Sequence, residues 1–455
     1  MGVQNVATRR KYKYIKIVFI IGVFVWLSSW ALHITTDLSS ASSGPDEQLR
    51  MLIPDYIYEH HQLPTGYDQE AIYERGNWSY AFYPQMLGAI VSSIFMSLIG
   101  IFNTSTEALI FGARLSSVVF GTATVYIFGL IIRKLFDKRA HSEMYSYVAM
   151  IILAFWPQFS FLSSYINNDI VALFGVTLIS YAVILGLRDK WNRTNSILLG
   201  FGFAVCLLGY TNSYGFVLVG TILFLITLLS QRSNLGTKKV VRSVLLVGIV
   251  PILIAGPFFV RNIVLYDGDV LGLATFKERT TEWERENNQR LQSTYTQATG
   301  GGLLSFAKDR KYWSLQRESF TGKFGYMTIE PRDSQLVAYG SLVGVGTLGL
   351  LLLCIRTLKN KELKRYKNEI LFATFLIVGS VITFALSIYY TLKIDIQPQG
   401  RYIIYLLIPL LIAAVAGIRF LTSYVHSSVV RKIVLGTIVL VYSVNSIIIF
   451  IEYIV

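Results

Sequence analysis

The chain has 455 residues, 53% of them hydrophobic, with a mean hydropathy of +0.51 and a formal net charge of +14. Apolar runs of about 20 residues recur along it, which is the length a helix needs to cross the hydrocarbon core of a bilayer, so a soluble globular domain is excluded. The two cysteines, Cys206 and Cys354, both lie within such runs, which excludes a disulfide framework.

These runs predict an all-α protein that crosses the membrane many times. About eleven transmembrane helices are expected, at residues 15–35, 109–133, 144–166, 170–187, 195–212, 214–230, 240–260, 335–355, 369–391, 402–418 and 433–452. The first run is long for a signal peptide and lacks a clear cleavage site, so we expect it to remain in the chain.

Residues 86–102 form a further apolar stretch that either crosses the membrane or lies on its surface. The positive-inside rule separates the two arrangements. If the stretch does not cross, 25 of the 41 basic residues fall in cytoplasmic segments, whereas most of them face outward if it crosses. We therefore predict an interfacial or re-entrant segment, a cytoplasmic N-terminus and a multi-pass protein of the cell membrane.

Two long loops are then expected on the extracytoplasmic side. Loop one, residues 36–108, contains the interfacial helices and is rich in acidic and aromatic residues. Loop two, residues 262–334, carries a densely charged stretch at 277–290 that is typical of a solvated helix. We treat residues 1–455 as a single transmembrane domain that bears these two loops.

Polar residues near the predicted outer ends of the spans are functional candidates, because an ionisable group at membrane depth is costly. Asp46 and Glu47 follow the first span and Pro45. The two carboxylates suit a general base, a metal site or the start of a helix. Asn168 and Asp169 lie between two predicted spans, where a short polar turn is equally an ordinary structural feature.

Three arginines lie at the predicted outer ends of spans, against the charge bias of that side. Arg114, Arg261 and Arg401 can each extend to lipid headgroups or bind a phosphate, whose geometry a guanidinium matches with two hydrogen bonds. Their shared depth favours a common anionic ligand. His60 and His61 are adjacent and cannot both face one metal ion from a helix, so we predict no metal site.

Several short segments resemble the GT-C-type glycosyltransferases, the lipid-sugar-dependent clan that includes the protein O-mannosyltransferases and the aminoarabinose transferases of lipid A. The resemblance is spread over most of the chain and is nearest to a less-studied bacterial branch. Its segments are Pro45-Asp46-Glu47, Ala113-Arg114-Leu115-Ser116-Ser117, Asn168-Asp169, Pro257-Phe258-Phe259-Val260-Arg261-Asn262 and Gln399-Gly400-Arg401-Tyr402.

The sequence also departs from this clan. The aminoarabinose transferases carry a Lys-Pro-Pro motif where Tyr83-Pro84-Gln85 stands here, so no lysine is expected at the donor phosphate. No large soluble C-terminal domain of the kind some members carry is expected after the last span. We therefore do not transfer the identity of the sugar from any one member.

The resemblance implies an inverting glycosyltransferase that moves a sugar from a polyprenyl-phosphate donor to a hydroxyl of a cell-envelope glycan, glycolipid or protein on the extracytoplasmic face. Asp46 would be the general base, with Glu47 as the alternative. The donor phosphate would be bound by Arg261 and Arg401, with Arg50 and Arg114 behind them. The remaining substrate-binding candidates are Asn168, Asp169, Tyr56, Gln399 and Tyr402. Tyr56 and its aromatic neighbours in loop one either stack on the sugar or pack the interfacial helices.

No cofactor is expected, because fixed arginines can replace a divalent metal at the leaving phosphate. The expected partners are the lipid-linked donor, the hydroxyl acceptor and the bilayer, and no nucleic acid. Two other classes stay open: a polymerase or ligase that uses a polyprenyl-diphosphate donor, and a flippase for lipid-linked sugars. Two long loops and an acidic loop one argue against the former, and the sequence shows no internal repeat of the kind transporters carry.

Overall fold

The computed structural model describes residues 2–137 and 141–454, so Lys138 and Arg139 of the predicted cytoplasmic segments lie outside the described residues. The described chain forms helices joined by turns, and its β-structure consists of the isolated bridges Tyr73–Trp78 and Phe324–Ile329. The α-helices are α1 (Gly2–His33), α2 (Glu47–His60), α3 (Leu87–Gly100), α4 (Thr106–Leu135), α5 (Ser142–Ala154), α6 (Pro157–Leu162), α7 (Asp169–Asp189), α8 (Arg193–Gly209), α9 (Tyr214–Ser230), α10 (Arg232–Leu235), α11 (Thr237–Leu265), α12 (Leu273–Asn287), α13 (Tyr295–Thr299), α14 (Leu303–Ala307), α15 (Arg310–Thr321), α16 (Asp333–Lys359), α17 (Lys367–Lys393), α18 (Leu407–Thr422) and α19 (Ser428–Ile454).

Nine helical segments of the described chain are long and apolar enough to cross a membrane. They are α1, α4, α7, α9, α11, α16, α17, α18 with the 3₁₀ helix before it, and α19. The two other predicted spans coincide with the shorter helices α5 and α8. The helix breaks after α5 and a new helix, α6, begins at Pro157. The prediction of an all-α protein with about eleven membrane helices is thus confirmed in outline.

The apolar stretch 86–102, whose crossing was in question, contains α3, a helix of 14 residues. At 1.5 Å per residue such a helix is about 21 Å long, which is short of the roughly 30 Å hydrocarbon core. One face packs on α4, where Ser92 Oγ donates to the Ala113 carbonyl at 2.9 Å. The opposite face exposes Ile94 and Leu98. This geometry fits a surface helix, and the sidedness of the chain stays a prediction.

The core lies around α4 and α7, whose side chains are buried along most of their length. α7 packs between α4 and α8, and α4 also contacts α1, α3 and α5. A second close contact joins α16 to α18, where a Cβ at Gly349 would lie 2.4 Å from the Gly417 carbonyl oxygen. Small residues on both helices therefore allow the backbones to touch, as is common between membrane helices.

Both long loops meet at one end of the bundle. Asn262, near the end of α11, donates its side-chain amide to the Phe82 carbonyl of loop one at 2.8 Å. A hairpin of loop two, closed by the Phe324–Ile329 bridge, reaches back to loop one, where the backbone N–H of Tyr326 donates to the Ala41 carbonyl at 2.9 Å. These contacts enclose a space between the two loops and the ends of the helices.

Candidate active site

A cavity of about 330 Å³ fills this space. Loop one, loop two, the start of α7 and the segment between α17 and α18 all contribute to its wall, and most of the lining side chains are polar or aromatic. They are Asp46, Trp78, Tyr80, Tyr83, Gln85, Asn168, Tyr210, Thr211, Leu271, Leu273, Tyr326, Tyr390, Asp395, Ile396, Gln397, Pro398, Gln399, Arg401 and Tyr402. Such a wall suits a polar ligand that also presents a flat face to aromatic rings.

Asp46 stands at the wall in an unusual backbone conformation. Its φ of 62° and ψ of 11° lie in the left-handed region, which costs free energy for a residue other than glycine. The neighbouring contacts hold this conformation. The N–H of Asp46 donates to the Tyr326 hydroxyl at 3.2 Å, and Arg401 Nη1 donates to the Pro45 carbonyl at 3.1 Å. The turn directs the carboxylate of Asp46 into the cavity while α2 begins at the next residue.

Arg401 is the ionic partner of Asp46, although 355 residues separate them in the chain. It lies in the 3₁₀ helix Gly400–Leu406 that leads into α18. Its Nη2 donates to Asp46 Oδ2 at 2.6 Å and to the Tyr402 hydroxyl at 2.9 Å. The buried Nε of Arg401 has no hydrogen-bond partner among the described residues, nor has Gln399 Oε1. A buried donor without a partner beside a cavity is available to a ligand atom.

The pKa of Asp46 results from two opposed effects. Burial raises it, because a charged carboxylate loses hydration. The positive charges of Arg401 and then Arg50 lower it by more, so the pKa lies below the usual range for aspartate. The side chain still keeps 31% of its surface exposed to the cavity. Asp46 is therefore ionised and accessible, but its basicity is held down by the arginine pair.

Arg50 lies in α2 behind the cavity wall rather than in it. Its guanidinium lies 4.2 Å from the ring centre of Tyr80, which does line the cavity. Burial alone lowers its pKa, but Tyr80, Asp46, Tyr210 and Asp169 raise it above the ordinary value. Arg50 therefore adds a permanent positive charge beneath the site.

Asn168 and Asp169 occupy two different layers. Asn168 lines the cavity and donates to the Gln85 carbonyl at 3.1 Å. Asp169 is fully buried behind it, where Tyr405 donates its hydroxyl to Oδ1 at 3.2 Å. The preceding residue, Asn167, accepts the N–H of Ile170 at 2.9 Å and so begins α7. This turn positions Asn168 at the wall.

Glu47 and Arg114 are brought together outside the cavity. Arg114 Nε and Nη2 donate to the two carboxylate oxygens of Glu47 at 2.8 and 2.9 Å, and both side chains are buried. The remaining donors of Arg114 bind the carbonyls of Ala31, Ile34 and Thr35 at the end of α1. Neither residue lines the cavity, so the geometry does not favour Glu47 as a base or Arg114 as a phosphate ligand.

Arg261 and Tyr56 also lie away from the cavity. Arg261 Nη2 donates to the Pro64 carbonyl and so ties α11 to loop one. Tyr56 packs its ring 4.4 Å from that of His60 and accepts a hydrogen bond from Gln62 at 3.1 Å. Of the predicted residues, the structure gathers Asp46, Asn168, Gln399, Arg401 and Tyr402 around one space.

Tyr326 and Asp395 are among the lining residues that were not foreseen from the sequence. Tyr326 arrives on the loop-two hairpin, where Gly325 and Met327 both have positive φ. Asp395 follows α17, accepts the N–H of Ser293 at 3.0 Å, and has a pKa that burial raises above the usual range for aspartate. Gly325 was the local signal for the turn that carries Tyr326. Asp395 had no such signal, because it lies in a short turn without distinctive residues.

The cavity carboxylates do not form an evident cation site. Asp46 already binds a guanidinium, and Asp395 accepts a backbone N–H, whereas a divalent ion needs several converging oxygen ligands. Elsewhere, Glu59, His60 and Glu70 could each offer one ligand atom, with these atoms within 4.8 Å of one another. His60 Nε2 lies 2.5 Å from Glu70 Oε2, and the resulting hydrogen bond raises the pKa of His60. This group is exposed on loop one, apart from the cavity.

Neither a protein-family model nor a curated protein sequence matches the chain. The oligosaccharyltransferase AglB from Archaeoglobus fulgidus, solved with an inhibitory peptide and a dolichol phosphate, aligns over 95% of this chain and 55% of its own, with 14% identity and a TM-score of 0.52. The apo form of that enzyme aligns over 96% of this chain and 55% of its own, with 12% identity and a TM-score of 0.54.

ArnT from Cupriavidus metallidurans, solved with undecaprenyl phosphate, aligns over 89% of this chain and 60% of its own, with 13% identity and a TM-score of 0.46. The chain thus spans little more than half the length of these proteins. Both neighbours are GT-C glycosyltransferases. The alignments with the oligosaccharyltransferase, which cover nearly all of this chain, show that it has the GT-C fold.

Proposed function

We propose that the protein is an inverting glycosyltransferase that moves a sugar from a polyprenyl-phosphate donor to a hydroxyl acceptor on the extracytoplasmic face of the cell membrane. The observation that carries this proposal is the Asp46–Arg401 pair, which places a carboxylate and an arginine with an unsatisfied donor on one wall of a polar, aromatic cavity. These are the two groups that such a transfer needs. The GT-C fold supports the same class.

The carboxylate of Asp46 acts as the general base. It accepts the proton of the acceptor hydroxyl while that oxygen attacks the anomeric carbon, and the bond from this carbon to the phosphate oxygen breaks on the opposite side. The sugar is thereby joined to the acceptor with inversion, and the polyprenyl phosphate leaves with its electron pair. Proton and charge balance without an added reactant.

The arginines stabilise the leaving group. Negative charge grows on the phosphate as the bond breaks, and a fixed guanidinium lowers the free energy of that transition state without reorganising. Arg401 is the direct ligand, because it lines the cavity and its Nε is unsatisfied. Arg50 adds charge from the layer behind.

Donor binding also activates the base. In the free protein Arg401 lowers the pKa of Asp46. A donor phosphate that binds Arg401 adds negative charge nearby and shares the guanidinium, so the influence of burial prevails and the pKa of Asp46 rises. The carboxylate therefore becomes a stronger base once the phosphate is bound.

The cavity is fitted to one sugar unit at a time. Its volume of about 330 Å³ lies at the lower end of the range for small-molecule sites. Trp78, Tyr80 and Tyr83 offer rings for stacking, while Asp395 and Gln397 offer acceptors and donors for sugar hydroxyls. The small volume favours a monosaccharide on a monophosphate over an oligosaccharide on a diphosphate. The acceptor is a glycan, a glycolipid or a protein, and the cavity does not distinguish among these three.

The reaction is proposed to need no divalent metal, because the cationic role falls to arginines and the two cavity carboxylates are committed to other donors. The measurement is sugar transfer by the purified protein before and after EDTA treatment. Unchanged transfer supports arginine-based stabilisation. Transfer that is lost and then restored by magnesium or manganese contradicts it.

The decisive experiment compares Asp46→Asn with wild type on a panel of polyprenyl-phosphate sugars. We expect one donor to be consumed by wild type and its turnover to fall by about 10²–10⁴-fold in the variant, the usual contribution of a general base. Asp55→Asn, on the same helix but outside the cavity, is the matched control and should keep wild-type turnover. Thermal unfolding of all three proteins verifies folding.

The panel also separates the competing classes. Turnover confined to diphosphate-linked oligosaccharides would replace the proposal with a polymerase or ligase. Movement of a lipid-linked sugar across reconstituted vesicles, undiminished in Asp46→Asn and without sugar transfer, would replace it with a flippase.

A further inference from the structure

A second, apolar groove of about 540 Å³ lies on the surface of the bundle. Its wall is formed by α15 of loop two, by α17, and by the 3₁₀ helix Gly400–Leu406 with the start of α18. The apolar part of the lining includes Trp313, Phe320, Ile377, Val381 and Leu410. The 3₁₀ helix borders both spaces, because Arg401 and Tyr402 line the catalytic cavity while Ile403 and Leu406 line the groove.

The groove continues toward the other end of the bundle. A cleft of about 250 Å³ between α17 and α18 shares Ile377 and Pro409 with it and is lined by further apolar residues such as Leu376 and Ala413. Together the two adjoining spaces form a mostly apolar track along α17 and α18. Such a track suits a hydrocarbon chain.

A cationic patch adjoins the loop-two end of the groove. A polar depression there shares Trp313 and Arg317 with the groove and adds Lys308 and Arg310. Arg317 is 77% exposed, and its nearest carboxylate, that of Glu318, is 3.9 Å away. Lys308 and Arg310 have no carboxylate within 4.0 Å among the described residues. The three charges are therefore available to an anionic group.

The same end of loop two carries apolar side chains on its surface. Leu303 and Leu304 of α14, directly before the cationic patch, are 67% and 70% exposed. Exposed leucines beside basic residues are typical of segments that lie in a bilayer interface. An interfacial position of this segment places the patch beside lipid phosphates and the track beside lipid tails.

We propose that this surface is a second binding site for an isoprenoid phosphate, separate from the catalytic cavity. The phosphate binds Lys308, Arg310 and Arg317, and the isoprenoid chain lies in the track along α17 and α18. The identification of this lipid class rests on the proposed function, which requires a polyprenyl phosphate as donor and releases one as product.

The site is linked mechanically to the catalytic cavity. The Tyr312 hydroxyl of α15 donates to the Gln397 carbonyl at 3.0 Å, and Ser319 of the same helix accepts the N–H of Gly400. Gln397 lines the catalytic cavity, and Gly400 directly precedes Arg401. A lipid seated against α15 is thus one helix away from the residues that hold the reacting phosphate, and it can be stored there before or after transfer.

Direct binding is the first test. The full-length protein in lipid nanodiscs is photolysed with a long-chain polyprenyl phosphate that carries a diazirine, and the labelled peptides are mapped. We expect labels on α15, α17 and α18. A triple variant, Lys308→Gln with Arg310→Gln and Arg317→Gln, should reduce labelling by limiting probe roughly a hundredfold, since each interfacial cation contributes about 1 kcal/mol to binding an anionic lipid.

The matched control neutralises the same number of exposed cations on the other part of loop two: Lys277→Gln with Arg285→Gln and Arg290→Gln. It should label like wild type. Equal labelling of the two triple variants would overturn the proposal. So would competition by phosphatidylglycerol as effective as that by unlabelled polyprenyl phosphate, because the groove would then hold an ordinary annular lipid.

The track is tested by filling it. Val381→Trp places a bulky side chain in the groove from a residue that is 60% exposed, so folding should be preserved. Val337→Trp, at a residue of α16 that is 67% exposed and outside the groove, is the control. We expect Val381→Trp to reduce labelling by the long-chain probe about tenfold, with little effect on labelling by a water-soluble short-chain probe.

An equal effect of Val381→Trp on both chain lengths would contradict a tail-binding track. The labelling experiments do not depend on sugar transfer. Labelling that follows the pattern above in a protein that transfers no sugar would support this site while rejecting the proposed function, so the two failures are distinguishable.

Discussion

The adjacent carboxylates of Asp46 and Glu47 each bind an arginine, but the two ion pairs differ in every other respect. Arg114 satisfies both oxygens of Glu47, spends its other donors on carbonyls, and is sealed from solvent. Arg401 binds one oxygen of Asp46, keeps an unsatisfied Nε, and faces a cavity. A completed pair stabilises a fold, whereas an incomplete pair beside a cavity is available for chemistry.

The largest expected effect is a loss of folding stability when the sealed pair, Glu47 with Arg114, is broken. Glu47→Gln leaves Arg114 buried without its counter-charge, which should lower the free energy of unfolding by about 3–5 kcal/mol. Denaturation of the purified protein in detergent measures it, with Glu107→Gln, an exposed glutamate near the start of α4, as the control. A Glu47→Gln protein as stable as wild type but inactive would instead assign Glu47 to catalysis.

Changes in the open pair, Asp46 with Arg401, should affect activity far more than folding stability. Arg401→Lys keeps the charge but loses the planar fork that binds a phosphate with two hydrogen bonds, so kcat/KM should fall by about 10²-fold. Steady-state kinetics with the identified donor measure this. The same kinetics on Lys277→Arg, an exchange between the two cations on the exposed α12, should match wild type. Wild-type kinetics in Arg401→Lys would exclude a bidentate role.

The pH dependence sharpens the comparison. Because Arg401 and Arg50 outweigh burial and hold the pKa of Asp46 below its usual range, the base of the free enzyme stays ionised down to low pH. In Arg401→Gln burial prevails, so the pKa rises and the acid limb of the kcat/KM profile should move up by about one pH unit or more. Arg290→Gln should leave the limb in place. A limb that does not move in Arg401→Gln would assign the titration to another group.

The smallest expected effect concerns the backbone of the base. Tyr326→Phe removes the hydroxyl that accepts the N–H of Asp46, which should lower kcat about fivefold, the equivalent of roughly 1 kcal/mol for one hydrogen bond. KM should change little if Tyr326 only positions Asp46. A rise in KM with constant kcat would show that the hydroxyl binds substrate directly, and Tyr67→Phe, an exposed tyrosine of loop one, serves as the control.

Much of the architecture was predictable because hydropathy acts locally. The membrane helices follow from runs of apolar residues. The distribution of lysine and arginine predicted that residues 86–102 do not cross, and the 14-residue length of α3 fits that prediction. Asp46 and Arg401 were singled out for their chemistry, but their pairing was not, since 355 residues separate them. The sequence kept Glu47 as the alternative to Asp46, because the left-handed turn that sends their side chains in different directions has no distinctive residue.

The arginines illustrate the same limit. Arg114, Arg261 and Arg401 share a predicted depth, which suggested a common ligand. Depth fixes the position along the membrane normal, but not the direction around the bundle. Of the three, only Arg401 lines the cavity, while Arg114 binds Glu47 and carbonyls at the end of α1, and Arg261 donates to the Pro64 carbonyl. Tyr326 was missed because a hairpin in a long loop, rather than a span, brings it to the site.

The sealed pair also has a consequence for biosynthesis. Its contacts join the end of α1, the start of α2, α4 and the N–H of Ile166, which donates to Glu47 at 3.1 Å. Every one of these groups has been synthesised once residue 166 of the 455 has been added. The N-terminal helices can therefore pack around Arg114 during translation, before Arg401 has been synthesised. Asp46 is then already positioned when Arg401 is added and completes the site.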